Sequence, residues 1–374
     1  MMKHYVLAAM LVLSLTGCGN SLKKYNDKQD DVILRQDIFN TSMKEGISCY
    51  RIPSIVTAPN GDLIAAIDER VLSCADLRGG RDINIAIRRS SDNGATWGPI
   101  EIVADFPLGK SCSDPSMIVD NISKEIFLFY NFMDLDNEPD VYYLHVMRSK
   151  DNGLTWSGPE DITSQITDST WHNDLKFITS GRGTQTSDGT LLHTLVNLQH
   201  GLHAFGSEDH GNSWHLFSKA LPYGDESKIV ELPDGRWMIN CRLNKMPGRQ
   251  IYVSDDRGKT WSGRIDPTLV DPGCNASIIT YTSKRYGSDK DRLLFANAND
   301  SSARQNLTIR ISYDCGETWS EGKTIYSGES AYSSMTILQN GDIAVFYEKD
   351  DYSKNEVAVF SLEWLTDGTD HYKK

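Results

Sequence analysis

Seven side chains scattered over almost three hundred residues have types that could act as one chemical group: Arg51, Arg70, Glu226, Arg242, Arg304, Tyr332 and Glu348. A guanidinium is a planar, permanently charged fork that matches a carboxylate, and its charge-assisted bonds are stronger than neutral ones. Several such forks converging would repel one another unless acids offset them, and two glutamates stand in the set. The obvious use is capture of a carboxylate-bearing ligand beside groups able to move protons. Singly, none of these residues means much, because an isolated Arg is usually a surface charge and a lone Tyr is usually core. The chemistry exists only if the fold delivers them to one place.

The elements that would do so are repeated. The pattern S-x-D-x-G-x-[ST]-W occurs at Ser90–Trp97, Ser149–Trp156, Ser207–Trp214, Ser254–Trp261 and Ser312–Trp319. Its aspartates, Asp92, Asp151, Asp209, Asp256 and Asp314, are separated by 59, 58, 47 and 58 residues. A near-constant period marks a repeat architecture. The box itself is turn chemistry: Ser and Asp bond back to the backbone, Gly supplies positive φ, and Trp plugs the turn.

Between boxes, a strand-like run, a turn and a second run recur six times. The first copy is Pro53–Ala58, the turn Pro59-Asn60-Gly61-Asp62 and Leu63–Arg70. The others begin at Ser116, Leu175, Ser227, Ser277 and Ser334. Asn-Gly and Asp-Gly turns between apolar, β-branched runs signal hairpins. Another alternating run precedes each box. The expected unit is four antiparallel strands with the box between strands three and four, and six units make an all-β, six-bladed β-propeller with five box turns. Val357–Trp364, joined by an N-terminal strand near Ile33–Phe39, completes the sixth blade. In this topology the start of strand one and the end of strand two share a face near the axis, and the boxes lie opposite. Arg51, Arg70, Glu226, Arg242, Tyr332 and Glu348 fall at those starts and ends, and Arg304 begins a third strand on the same face.

These segments carry a family resemblance. Tyr50-Arg51-Ile52-Pro53, together with the boxes, resembles the [FY]-R-I-P motif and Asp boxes of the sialidases of glycoside hydrolase family 33, over essentially all of residues 45–365. Glu69-Arg70 is similar to the segment with an extra arginine. Asp225–Ser227 and Asn240–Arg242 are similar to those with the catalytic glutamate and the second triad arginine. Arg304–Leu307 resembles the segment with the third triad arginine, Ala331–Ser333 the nucleophile segment, and Phe346–Glu348 the acid that steadies the first arginine. The resemblance further implies an acid/base aspartate at Asp76, on the loop Val71–Gly80 with its Cys74. It also implies a sugar-binding Asp114 in Ser113–Ser116, where a plain turn residue would serve as well. For Arg70 it implies contact with the substrate, with an ion pair to Asp68 as the alternative.

What the resemblance implies makes chemical sense. A sialic acid carries its carboxylate on the anomeric carbon, so an anionic nucleophile would meet the substrate's own charge. A neutral tyrosine avoids this, and sialidases depart from the usual carboxylate nucleophile in this way. A phenol with a pKa of about 10 is weakly nucleophilic at neutral pH, so it needs a base, here Glu226. Asp76 would protonate the leaving oxygen and then activate water. The implied activity is retaining exo-α-sialidase hydrolysis of sialylated glycans through a tyrosyl-enzyme, with no cofactor and no metal. A related nonulosonic-acid hydrolase, a trans-sialidase, or a sialoglycan-binding propeller without turnover are the alternatives.

The N-terminus reads as an address. Lys3 and His4 precede an apolar run, Tyr5–Leu15, too short to span a bilayer, and Leu15-Thr16-Gly17-Cys18 resembles a bacterial lipobox. The expected layout is a signal peptide at 1–18 with lipidation at Cys18, a tether at 19–40, the propeller at 41–366 and a tail at 367–374. The protein would then be exported and held to the cell envelope by lipid, with an ordinary secretory signal cleaved nearby as the alternative. A net charge of −13 argues against nucleic acid. The six later cysteines, Cys49, Cys74, Cys112, Cys241, Cys274 and Cys315, allow fifteen pairings and show no metal-site spacing; paired and free states are equally open.

Overall fold

The repeated hairpins form because their turns are closed by their own side chains. In the computed structural model, which describes residues 33–373 apart from Ser218 and Lys245, Asn60 accepts the Asp62 N–H at 3.1 Å while its amide donates to the Asp62 carboxylate at 2.9 Å. Gly61 supplies the left-handed residue at φ 98°. The strands joined here are Cys49–Thr57 and Leu63–Arg70, and all eight residues of the second are buried. A strand buried on both faces lies inside a stack of sheets.

The strands pair into antiparallel sheets running outward from a centre. Four of the sheets are separate, each built from one repeat unit, with one of them borrowing a two-residue strand from the next unit. The last two units form one seven-stranded sheet, contrary to the expectation of a sheet per unit. The cause is the fifteen-residue strand Lys323–Ile337, which runs on through Gly328 and a bulge without a proline to stop it. Its first part pairs with Gln305–Ser312 and its second with Ile343–Lys349. The fold is a β-propeller.

Apolar side chains fill the space between neighbouring sheets: Val56, Ile64 and Ile85 of one sheet meet Met117, Leu128 and Tyr130 of the next. Near the axis, hydroxyls and amides stitch the innermost strands. Ile55 donates to Ser334 Oγ at 3.2 Å, Met335 to Ser277 Oγ at 3.0 Å, and the Asn275 amide to Ser180 Oγ at 2.8 Å. Gly181–Arg182, in a segment read from sequence as a turn, pairs in parallel with Ser116–Met117 of the preceding sheet. Gly181 suits this place because its φ is 97° and a Cβ would come within 2.9 Å of Lys228 Cε.

Two expected boundaries change. Leu34–Asn40 is not tether but a strand on Lys354–Phe360, so an early segment completes the last sheet; the 41–366 limit is too narrow because Ile38 and Phe39 are core. The tail from 367 is also docked. Asp370 accepts Arg292 Nε at 2.7 Å and Lys290 Nζ at 2.8 Å, and the Tyr372 ring lies 5.7 Å from that of Tyr281. The signal peptide, Cys18 and the remaining tether lie outside the described residues.

The boxes are built alike. Each Ser hydroxyl donates to its Asp at 2.7–2.9 Å and accepts the Gly N–H at 2.8–2.9 Å. The residue after each Asp is left-handed, with φ between 57° and 62° at Asn93, Asn152, His210, Arg257 and Cys315. Hydrogen bonds from the following Thr hold Asp92, Asp151 and Asp256 down at about 2.

Candidate active site

Three innermost strands carry a one-residue bulge at the end facing the site. The register shifts between Arg51 and Ser54, between Ser113 and Ser116, and between Ser330 and Ser333. The bulges contain Ile52-Pro53, Asp114-Pro115 and Ala331-Tyr332, and a bulge re-aims the side chain it holds. Pro cannot donate to a ladder, which favours the irregularity in the first two. Ile52 and Asp114 adopt φ of 69° and 66°, values costly for residues with a Cβ and maintained by the packing around them.

The third bulge turns Tyr332 inward, leaving it 8% exposed. Its hydroxyl donates to Glu226 Oε2 at 2.6 Å. Glu226 is placed by the strand ends Ser227–Glu231 and Trp237–Cys241, beyond which Arg242 N–H donates to the Glu226 carbonyl at 2.9 Å. Arg242 Nη1 reaches the same Glu226 oxygen at 2.6 Å and the Tyr332 hydroxyl at 3.2 Å. Burial, and then the Glu226 charge, push the Tyr332 phenol well above its ordinary range, against the pull of Arg242. The phenol is thereby held in its protonated form, with its hydrogen bonded to the Glu226 carboxylate.

The other two arginines flank the same ring. The Arg51 and Arg304 guanidinium carbons stand 5.6 and 5.5 Å from the centre of the Tyr332 ring. Arg51 is gripped by Glu348, which accepts its Nε at 3.0 Å and its Nη2 at 3.3 Å. A cavity of about 220 Å³ lies to one side of this group, lined by Arg304, Ala331, Glu348 and Tyr352 and not by the Tyr332 ring. Residues separated by up to 297 positions thus converge around one phenol.

Asp76 is also brought to this group. Arg70 Nη1 donates to its Oδ1 at 2.8 Å, and Arg51 Nη1 lies 4.0 Å from that oxygen. Partial burial raises the Asp76 carboxyl, but Arg70, followed by Arg51 and Arg304, outweighs it and leaves Asp76 below the usual carboxylate range. Arg70 itself has no exposed side chain; its Nε and Nη2 hold Asp68 at 3.2 and 2.9 Å. Of the two sequence readings of Arg70, the ion pair to Asp68 is the one present, and the fully buried guanidinium is taken up by Asp68, Asp76 and the Cys74 carbonyl. Asp114 stands apart from the triad. Its carboxylate accepts the Asn131 amide at 3.0 Å and its N–H donates to Asp68 at 3.0 Å. Burial, then the charges of Asp68 and Glu226, raise its carboxyl.

Residues 61–345 match the BNR repeat-like domain family. The chain belongs to that family. It is similar to a sialidase of Micromonospora viridifaciens, at 36% identity over 351 residues, covering 86% of this chain and 53% of that protein. A sialidase of Bacteroides fragilis strain YCH46 is 29% identical, over 80% of this chain and 60% of the other. Among solved structures, the Hadza microbial sialidase Hz136 superposes with a TM-score of 0.77 at 30% identity, over 85% of this chain and 66% of that one. The chain spans 53% and 60% of the length of these two curated relatives.

This BNR-repeat propeller also brings in residues that the sequence did not point to. Tyr352 stacks on Arg51, ring centre to guanidinium carbon 3.9 Å, and its hydroxyl accepts Arg304 Nη1 at 3.2 Å. It sits in a hairpin turn where Asp350, Asp351 and Tyr352 are all left-handed, at φ 52°, 52° and 63°. Ser113 donates to Asp68 at 2.6 Å. Among the described cysteines one pair is joined, Cys49–Cys74, and Cys112, Cys241, Cys274 and Cys315 are free.

Proposed function

We propose that the protein is an exo-α-sialidase that hydrolyses terminal sialic acids with retention, through a covalent bond to Tyr332. The observation that carries this reading is the 2.6 Å hydrogen bond from Tyr332 to Glu226 inside a ring of three arginines. Arg51, Arg242 and Arg304 are suited to take the substrate carboxylate, each charge-assisted bond worth about 1.5–3 kcal/mol. Glu226 takes the phenol proton as the oxygen attacks the anomeric carbon, and Asp76, once protonated, gives its proton to the leaving oxygen. In the second half Asp76 takes a proton from water, which attacks the same carbon. Tyr332 then leaves with the proton returned from Glu226. Asp114 would face the sugar's remaining substituents, and Arg70, itself buried, would act through Asp76. The names of the relatives agree with this substrate class.

The test is turnover of an aryl α-sialoside followed by proton NMR, with a fluorinated sialosyl fluoride to trap the intermediate. Release of the α-anomer first, and an adduct mapped to Tyr332, are expected. Net inversion, or an adduct on Tyr326 or Tyr347, would reject the route. Binding without release would favour a glycan-binding propeller, and sialic acid appearing on an added sugar acceptor a trans-sialidase.

Export with a lipid anchor at Cys18 belongs to the same proposal. A disulfide between Cys49 and Cys74 agrees with an oxidising compartment. Cys18→Ser should release the protein from host membranes; unchanged fractionation, with no acyl mass on the wild type, would reject the anchor.

A further inference from the structure

Asp76 stands on the loop Val71–Gly80, and its side chain is 82% exposed. A proton donor must meet the leaving oxygen in a narrow geometry, and an ångström of drift is costly. Two straps hold it. Arg70, anchored on Asp68, donates from Nη1 both to Asp76 and to the Cys74 carbonyl, at 2.8 Å each. The second strap is the Cys49–Cys74 bridge, whose Cα atoms are 5.7 Å apart.

The bridge is placed with respect to the chemistry at both ends. Cys49 opens the strand Cys49–Thr57, two residues before Arg51, and lies opposite Arg70 in register. Cys74 is two residues before Asp76. Around it Leu72, Ser73 and Ala75 are exposed, and the loop regains the body of the protein only at Leu77, which packs on Met133 and Tyr142. Val71 is tied down by Asp82 and Ser48, but without the bridge the exposed stretch from Leu72 to Ala75 would be held to the body of the protein chiefly by the Arg70 bond to the Cys74 carbonyl. The rest of the site does not need it: Arg51 is gripped by Glu348, and Tyr332, Glu226 and Arg242 bond to one another.

We propose that the Cys49–Cys74 disulfide is a positioning device for the acid, so that proton donation to the leaving group depends on the bond being oxidised. This rests on the sialidase reading. Cys74 is exposed, whereas the free Cys112, Cys241 and Cys274 are buried, so a dithiol reaches this bond. Reduction breaks S–S, leaves thiols on Cys49 and Cys74, and closes the dithiol to its own disulfide.

The experiment compares kcat/KM on two α-sialosides, one with a 4-nitrophenyl and one with an alkyl leaving group. Nitrophenolate departs without a proton, whereas an alkoxide needs one. The full chain is assayed oxidised, after treatment with dithiothreitol with thiols counted, and as the Cys49→Ser/Cys74→Ser double variant. Reduction and the double variant should each lower kcat/KM for the alkyl sialoside at least tenfold more than for the nitrophenyl one. Re-oxidation should restore the wild type. An equal fall on both substrates, a loss that only tracks the fraction unfolded, or an unchanged ratio with two new thiols titrated would overturn the proposal. An oxidised wild type that cleaves neither sialoside would overturn the sialidase reading, and the positioning role with it. An active wild type with an unchanged ratio would overturn the bridge's role alone.

Discussion

Glu348 accepts the main-chain N–H of Tyr332 at 3.0 Å, while its other oxygen accepts the N–H of Ile52 at 2.8 Å. With the Arg51 guanidinium on the same carboxylate, one fully buried side chain sets two bulges and one arginine. Glu348 therefore fixes the distance between Arg51 and Tyr332.

Glu348→Gln keeps one acceptor, places an NH₂ against existing donors, and leaves Arg51 without its counter-charge. Breaking a buried pair from one side costs about 3–5 kcal/mol. A stability loss of that order in urea is expected, with kcat/KM on an aryl sialoside down by more than tenfold. A variant as stable as wild type would show that the carboxylate does not carry this load.

Tyr352 holds two of the three arginines at once, and its roles can be separated. Tyr352→Phe removes only the hydroxyl that accepts Arg304, so KM should rise by roughly threefold, the effect of one modest hydrogen bond. Tyr352→Ala also removes the ring under Arg51, worth about 0.5–2 kcal/mol as a cation–π contact, and KM should rise further. Steady-state kinetics on both variants decide this. A KM below wild type in the alanine variant would mean that the ring competes with substrate.

The hairpins and boxes were legible because their chemistry is local: Asn60 and Asp62 close a turn around Gly61 with their own side chains. Once the hairpins are placed, Arg51, Glu226, Arg242 and Tyr332 follow as strand ends on one face. Tyr352 could not be read this way. It stands in a polar turn, and three successive left-handed residues put its ring over Arg51, a conformation that no residue type there announces. The Cys49–Cys74 pair depends on how a loop folds back over its own sheet, and six cysteines give no preference. Leu34–Asn40 was divided between strand and tether because the partner that makes it a strand, Lys354–Phe360, lies at the far end of the chain.

The boxes should matter for stability and not for turnover, since they lie away from the arginines. The Asp256 carboxyl is held at about 2 in the fold by hydrogen bonds from Thr260. Its folded value is below its unfolded one, so the stabilisation is complete above the unfolded value. It is lost as pH falls toward about 2. Asp256→Ala should melt at a lower temperature than wild type at pH 6, and the gap should narrow by pH 2.5. Melting curves at the two values test this, and a large loss of kcat at unchanged stability would mean that the faces are misassigned.

The last expectation concerns when Asp76 becomes an acid. Burial favours its neutral form, but Arg70, Arg51 and Arg304 together keep it ionised below the usual carboxylate range in the free protein. An ionised carboxylate cannot donate a proton. A substrate carboxylate bound among Arg51, Arg242 and Arg304 would cancel part of that positive field and raise Asp76. The free protein's groups govern kcat/KM, and those of the complex govern kcat. An acid whose pKa rises on binding moves its alkaline limb upward, so for an alkyl sialoside the limb of kcat should lie at higher pH than that of kcat/KM. Asp76→Asn should remove the limb from both profiles while sparing nitrophenyl sialosides far more than alkyl ones. Coincident limbs in the wild type would mean that the substrate's charge does not reach Asp76, and that the acid is tuned by something other than the arginines.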